Sequence, residues 1–275
     1  MAVQLQATSR ESLAAARQRL EARTDAPGTD AAGLGVDLFA VARLLHGQRP
    51  LRRLLGEGST PAPSRIELLD RVLGGRLRPA SLEVARELVG ARWSQSLDLV
   101  DVVELLARDA TLAVAEAEGS LDDVEDELFR FGRILDREPE LAELLADTGR
   151  PEAGRLALLD GVLAGRVSPV TSTLLHESVR LPRGRHLDVL AEQLAELAAA
   201  RRQRSVARVT TPVALAPPQE ERLLATLGRL YGRPMSLQIE LDPSLLGGLV
   251  VQVGGEVIDG SVAGKLATAR RVLPS

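Results

Sequence analysis

Apolar residues recur at spacings of three and four through most of the first 204 positions. Leu121, Val124, Leu128, Phe131 and Leu135 form one such row, and this spacing places them on one face of a helix. Asp122, Asp123, Glu125 and Asp126 fill the other face and crowd its N-terminal end, where the helix dipole favours negative charge. Pro139 opens a short helix through Leu145, and Gly149-Arg150-Pro151 breaks the chain. A further helix covers Arg155–Leu163. Ser168-Pro169 reads as a cap and a first-turn proline for one ending near Val179. Pro182-Arg183-Gly184 is the next break, followed by a helix from about His186 to Arg204. An earlier row of Leu97, Val100, Val103, Leu106 and Ala110 meets no breaker until Gly119, which predicts one long helix from about Ser96 to Glu118.

The pattern repeats itself. Shifted by 90 positions, Leu38–Val89 lies on Leu128–Val179 without a gap, and 19 of the 52 pairs are identical. Chance in this composition gives roughly five. The matches include Arg43 with Arg133, Pro61 with Pro151, Arg65 with Arg155, Asp70 with Asp160 and Pro79 with Pro169, which Leu-rich helices alone do not explain. An internal duplication is expected. The matched pair Phe39 and Phe129 is assigned to the core, and Trp93 and Tyr231 to partly buried packing positions.

After Arg204 the period changes. Ser205–Thr211 reads as a short strand, Gln219–Tyr231 as a helix and Pro234–Leu241, which alternates at period two, as a second strand. Residues 248–259 form a hairpin turning at Gly254-Gly255, and Ser261 caps a last helix, Val262–Val272. The expected fold is mainly α. Two tandem duplicated helical bundles (1–105 and 106–205) precede a small α/β domain (206–275).

Composition narrows the chemistry. Hydrophobic residues make up 45% of the 275 and aromatics 2%, so Leu, Val and Ala fill the cores. The formal charge of −4 gives no general attraction to nucleic acid or anionic lipid. Cysteine is absent, which excludes disulfides and thiolate metal sites. No apolar run reaches the ~18 residues a spanning helix needs, and the N-terminus does not read as a secretory signal. His46, His176 and His186 have no partner at metal-ligand spacing. There is no phosphate-gripping P-loop and no hydrolase elbow, and the glycines at 247, 248, 254 and 255 read as hairpin rather than dinucleotide fingerprint. Arg201, Arg202, Arg204 and Arg208 sit near a helix C-terminus, where cations offset the dipole, and no aromatics interleave them for stacking on bases. The residues point to a non-catalytic protein without cofactor or metal that holds other proteins.

The run from Asp242 to Leu266, DPSLLGGLVVQVGGEVIDGSVAGKL, resembles the signature of ATP synthase delta subunits and of the oligomycin-sensitivity-conferring protein. Its family elements are Asp242, Pro243, Gly247, Gly248, Gly254, Asp259, Gly260 and Ser261. Looser matches carry the resemblance back to about Leu106, and the residues before it resemble the enlarged actinobacterial form, with a second copy of the helical domain in front. The resemblance implies a peripheral-stalk subunit on the cytoplasmic face of the bacterial membrane, peripheral and attached only through partners. Its helical domain would grip the N-terminal helix of an alpha subunit between about Leu106–Glu118 and Val170–Arg180, with Leu112, Ala113, Ala115, Leu174, Leu175 and Val179 lining the groove. Its C-terminal domain would bind the b subunit. The alternative is a stand-alone helical-repeat adaptor.

Overall fold

The structure is a computed structural model describing residues 5–26, 28–231, 235–253 and 256–262. The chain divides between Ala198 and Ala199 into two compact units. The first is helical throughout its ordered elements: α1 (Ala7–Thr24), α2 (Ala31–Gly47), α3 (Arg49–Gly56), α4 (Ala62–Leu73), α5 (Pro79–Gly90), α6 (Ser96–Glu118), α7 (Leu121–Arg137), α8 (Pro139–Ala146), α9 (Glu152–Leu163) and α10 (Pro169–Arg180), with most of α11 (Leu187–Ser205).

Helix α6 is the long helix expected from the sequence, and it belongs to both copies. Sixteen of its 23 residues are buried. A helix covered on every side is a central one. It is sharply delimited. Asp98 accepts from the Gln95 N–H at 3.2 Å and from the Ser9 hydroxyl at 2.6 Å. Gly119 ends the helix in the left-handed region (φ 70°), and the Ser120 N–H reaches back to the Ala115 carbonyl at 2.8 Å. Helix α2 runs along α6 so closely that a Cβ at Gly35 would lie 2.5 Å from the Thr111 hydroxyl. Fully buried leucines, among them Leu38, Leu55, Leu69, Leu99, Leu106, Leu128, Leu145 and Leu159, fill one continuous core. Each contributes about 1.5–3 kcal/mol.

The duplication is visible in the polar contacts as well as in the helix order. Buried Arg65 donates to the Leu55 carbonyl (3.4 Å) and Ala91 carbonyl (3.0 Å). Ninety residues on, buried Arg155 donates to the carbonyls of Leu145 (3.2 Å) and Val179. Asp37 accepts from the Arg78 N–H at 3.0 Å at the start of α5, and Glu127 accepts from the Ser168 N–H at 3.0 Å at the start of α10. Arg86 pairs with Asp70 and His176 with Asp160, both at 2.8 Å. Three polar contacts kept at one offset are a stronger mark of common descent than shared leucines, because each fixes the mutual placement of two helices. The Ser168 hydroxyl also accepts from the Thr171 N–H, the expected cap.

One expectation fails in this unit. Phe39 is buried, but its counterpart Phe129 is 58% exposed. The reason is position. Helix α2 is covered on two sides because a second copy follows it, whereas α7 buries a single narrow row, Leu121, Val124, Leu128, Phe131 and Leu135. Trp93 is fully rather than partly buried, with its Nε1–H donating to the Leu88 carbonyl at 2.8 Å.

The second unit contains β1 (Val206–Thr211), α12 (Pro217–Tyr231), β2 (Ser236–Leu241), β3 (Val250–Val253) and β4 (Glu256–Asp259). The sheet order is β2-β1-β3-β4. Strand β1 pairs parallel with β2 across the α12 crossover and antiparallel with β3, which pairs antiparallel with β4. Ala207, Val209, Val251 and Val253 meet Leu227 of α12 in a small core. Tyr231 is half-buried and its hydroxyl donates to Glu256 at 2.9 Å. The hairpin turn at Gly254-Gly255 and the helix expected beyond Val262 lie outside the described residues.

Candidate partner-binding surfaces

The expected groove between α6 and α10 is closed. Leu112, Ala113, Ala115, Leu174, Leu175 and Val179 are all buried, none more than 6% exposed. They lie in or beside the core that holds the helices together. The flank between α6 and α10 is covered from the first copy. Arg17 of α1 pairs with Asp109 of α6 at 2.9 Å, and Arg43 of α2 pairs with Glu177 of α10.

The same seam one repeat earlier is open. Between α1 and α5 lies a cleft of about 420 Å³ with a floor of small residues, Ala15, Ala16, Gly90 and Ala91. Glu87, the counterpart of Glu177, sits on its wall and accepts twin bonds from Arg23 at 2.6 and 3.2 Å. That hydrogen-bonded pairing, opposed by burial and reinforced by the charge of Glu87, holds the Arg23 pKa above its ordinary value. A helix packs most closely where its neighbours are small, so this floor suits an inserted helix.

A charged cluster locks the joint between the copies. Glu104, at the centre of α6, pairs with Arg108 of the same helix, with Arg183 at 2.9 Å and with Arg185 at 2.5 Å; Arg183 also reaches Asp101 at 2.5 Å. Burial pushes the Glu104 carboxyl up, but the three guanidiniums together outweigh it and leave its pKa below the ordinary value. Asp101 goes the other way. Burial raises it more than Arg183 lowers it. Arg183 adopts a left-handed backbone (φ 54°) that a non-glycine residue enters at a cost, and its ion pairs hold it there. Burial, with a smaller push from the charge of Arg183, lowers the pKa of His46 at the end of α2.

In the second unit the signature residues form a self-contained lock. Asp242 accepts from the Ser244 N–H (2.9 Å) and hydroxyl (2.6 Å), turning the chain just after β2, where Pro243 follows. Gly247 (φ 134°) and Gly248 (φ 82°) then carry it into β3. A Cβ on Gly248 would lie 2.5 Å from the Gly260 carbonyl oxygen. The Val262 N–H bonds the Gly247 carbonyl at 3.0 Å, the Gly260 N–H bonds that of Leu249 at 2.9 Å, and Asp259 accepts from the Ser261 N–H at 2.9 Å. Leu246 at the tip is 81% exposed. Gly254 lies outside the described residues.

A family model described as the ATP synthase delta (OSCP) subunit matches residues 108–273. The chain is 46% identical to the ATP synthase subunit delta of Streptomyces coelicolor over 267 residues, 97% of each chain. It is 44% identical to that of Frankia casuarinae over 274 residues, covering 98% of this chain and 99% of the relative. The subunit of Nocardia farcinica is 42% identical over 267 residues, 97% and 99% of the two chains.

The chain belongs to the ATP synthase delta (OSCP) subunit family. It is an ATP synthase subunit, in a family whose delta subunits are non-catalytic. The family match begins inside α6, so the general delta subunit corresponds to the second copy and the C-terminal unit, while the actinobacterial delta subunits share the first copy too. Among the described residues no helix is long and apolar enough to cross a membrane, and no cluster of His, Cys, Asp or Glu is arranged to hold a metal ion. The sequence marked residues within 242–261 only as a family signature and gave no sign of the joint. Arg183 stood in the sequence as part of a chain break and Arg185 just after it, and nothing local marks a break as an ion-pair donor. The α1–α5 cleft was missed too, because Ala and Gly floors leave no periodic signal.

Proposed function

We propose that the chain is a peripheral-stalk connector, linking the alpha/beta catalytic head of the ATP synthase to the membrane-anchored b subunit while the rotor turns. It takes part in proton-driven ATP synthesis without making or breaking a bond. The observation that carries this reading is the joint at Glu104. Two helical copies share one uninterrupted helix and are clamped by buried ion pairs at its middle, a construction that transmits force rather than one that yields to it.

In this reading an alpha-subunit N-terminal helix docks on a seam between the first and fifth helix of one copy. Leu112, Ala113, Ala115, Leu174, Leu175 and Val179 border that seam in the second copy, where an incoming helix must displace α1 and α2. The equivalent α1–α5 cleft is open and has small residues along it, which favours the first copy. The C-terminal unit binds the b subunit close to the signature lock, where Leu246 and Leu241 are exposed. Membrane attachment then comes only through b, on the cytoplasmic face.

The test is retention of the head. Washed membranes from cells lacking this chain should release alpha and beta subunits and lose coupled ATP synthesis, and the restored full chain should recover both. Retention of a coupled head without the chain would overturn the reading and favour an adaptor role elsewhere.

A further inference from the structure

The two copies are not equally filled at the turn between their second and third helices. In the first copy Arg52 of α3 lies half-buried across the end of α2, its Nη1 donating to the carbonyls of Leu45 (3.4 Å) and His46 (3.3 Å). The last carbonyls of a helix have no partner inside it and form its negative dipole end, so a guanidinium suits them. Ninety residues on, Ala142 stands in place of Arg52. Pro139 follows α7 there and has no N–H to offer the Leu135 carbonyl four residues back. A second difference keeps the walls apart. In the first copy a Cβ on Gly56 of α3 would lie 3.0 Å from the Ser96 Cα of α6. The counterparts are Ala146, which carries that Cβ, and His186, so the same close approach is barred. A cleft of about 600 Å³ opens where the arginine and the close approach are lost, bordered by Leu135, Asp136, Ala142, Ala146 and His186.

We infer that this cleft receives an arginine side chain of another polypeptide, in the place that Arg52 holds in the first copy. The contrast between the copies carries this independently of the stalk reading. Within this chain the matched carbonyls already bind a guanidinium, and one planar guanidinium reaches two neighbouring carbonyls, which favours arginine over lysine. The wall has also changed sign. Arg53 and Glu57 pair at 3.0 Å in the first copy, whereas their counterparts Glu143 and Asp147 are both carboxylates. Asp136 and Asp188 line the cleft with them. Against these four stand two guanidiniums, Arg185, already bound to Glu104 at 2.5 Å, and Arg150, bound to Asp147 at 3.3 Å, which leaves an excess of two carboxylates with His186 neutral. Arg137, Glu138 and Glu140 next to the cleft do not reverse that sign. Leu135, Ala142 and Leu187 offer apolar surface to the aliphatic stem. A free arginine would bring its own carboxylate against Glu143 and Asp147, whereas an arginine within a polypeptide brings none.

The experiment titrates the full chain, isotopically labelled at its leucine methyls, with acetyl-Leu-Arg-Leu-amide, with the same peptide carrying uncharged citrulline for arginine, and with free arginine, followed by NMR. The expected result is saturable shifts of the Leu135 and Leu187 methyls, with the arginine peptide bound at least about tenfold more tightly than either alternative. Ala142→Arg restores the arginine of the first copy and should abolish the response. Glu143→Arg should weaken binding about tenfold, and, because Glu143 is exposed, should leave the circular dichroism unchanged. In purified ATP synthase, p-benzoylphenylalanine at position 143 should crosslink to another chain beside an arginine. No saturable shift, or equal binding of the citrulline peptide, would overturn the inference, and free arginine binding as tightly as the peptide would overturn the polypeptide as its carrier. Crosslinks confined to residues 199–275 of the same chain, or none from the intact complex, would overturn it equally.

Discussion

Arg43 and Glu177 are 134 residues apart, and their ion pair joins the second helix of one copy to the fifth helix of the next. Glu177 is 8% exposed and also accepts from Arg180 at 2.6 Å, whereas Arg43 is one-third exposed. Glu177→Ala removes the acceptor for two cations, and Arg43→Ala leaves Glu177 its other partner. The first substitution should destabilise the chain by about 2–4 kcal/mol and the second by about 1 kcal/mol. Urea unfolding of the two variants and their double mutant gives both values, and a coupling energy near zero would show that the pair does not join the copies.

The joint predicts a dependence on pH. The Glu104 pKa is lowered in the folded chain, so its contribution is complete above the unfolded value of about 4.3 and is lost as pH falls through the folded value. Glu104→Gln should therefore lower stability at neutral pH and flatten its decline between about pH 5 and 3. Asp101 has a raised folded pKa, so its ionised form costs stability at neutral pH and protonation relieves that cost on acidification. Asp101→Asn should be the milder change. Melting curves of the two variants across that range distinguish them, and equal losses would contradict the assignment.

Arg65 and Arg155 should behave as a matched pair. Each is buried and bonds the end of one helix to the end of another through main-chain carbonyls. Methionine at either position keeps the aliphatic stem but leaves those carbonyls without their donor, a cost of about 2–4 kcal/mol. Chemical unfolding of Arg65→Met and Arg155→Met should show similar losses. A large loss at one site only would mean that the duplicated contacts have diverged in energetic role.

Much of this architecture was legible before the structure, and the parts that were not share a cause. Ser96–Glu118 was readable because a helix buried on all sides shows an unbroken apolar row with no breaker. The copies were readable because Arg65, Asp70 and Pro79 recur at one offset. Phe129 was misplaced for the same reason that the repeat was found: identity of sequence between copies does not bring identity of surroundings, and only the first copy has a successor to cover it. The buried state of Leu112 and Leu175 was hidden too. A groove wall and a core position both require aliphatic residues at helical spacing, so the pattern cannot separate them.

The signature glycines should differ from ordinary positive-φ glycines. Gly248→Ala meets both a left-handed backbone and the Gly260 carbonyl oxygen at 2.5 Å, so it should destabilise the C-terminal unit by more than about 2 kcal/mol. Gly119→Ala has open space around its Cβ and should cost about 1 kcal/mol. Native-state hydrogen exchange resolves the units separately, and faster exchange in β3 and β4 of the Gly248 variant alone is the expected result.

The most direct measurement is a calorimetric titration of the full chain with a peptide of the alpha subunit's N-terminal helix, beside Ala15→Trp, which fills the α1–α5 cleft. A cut after residue 105 is unsuitable, because it severs α6 within its buried stretch. The account predicts saturable binding to the wild-type chain and a loss of at least about tenfold in affinity on filling the cleft, with folding unchanged by circular dichroism. Unaltered binding by Ala15→Trp would move the docking site to the α6–α10 seam. Absence of binding to the folded wild-type chain would contradict the claim that this protein holds the catalytic head.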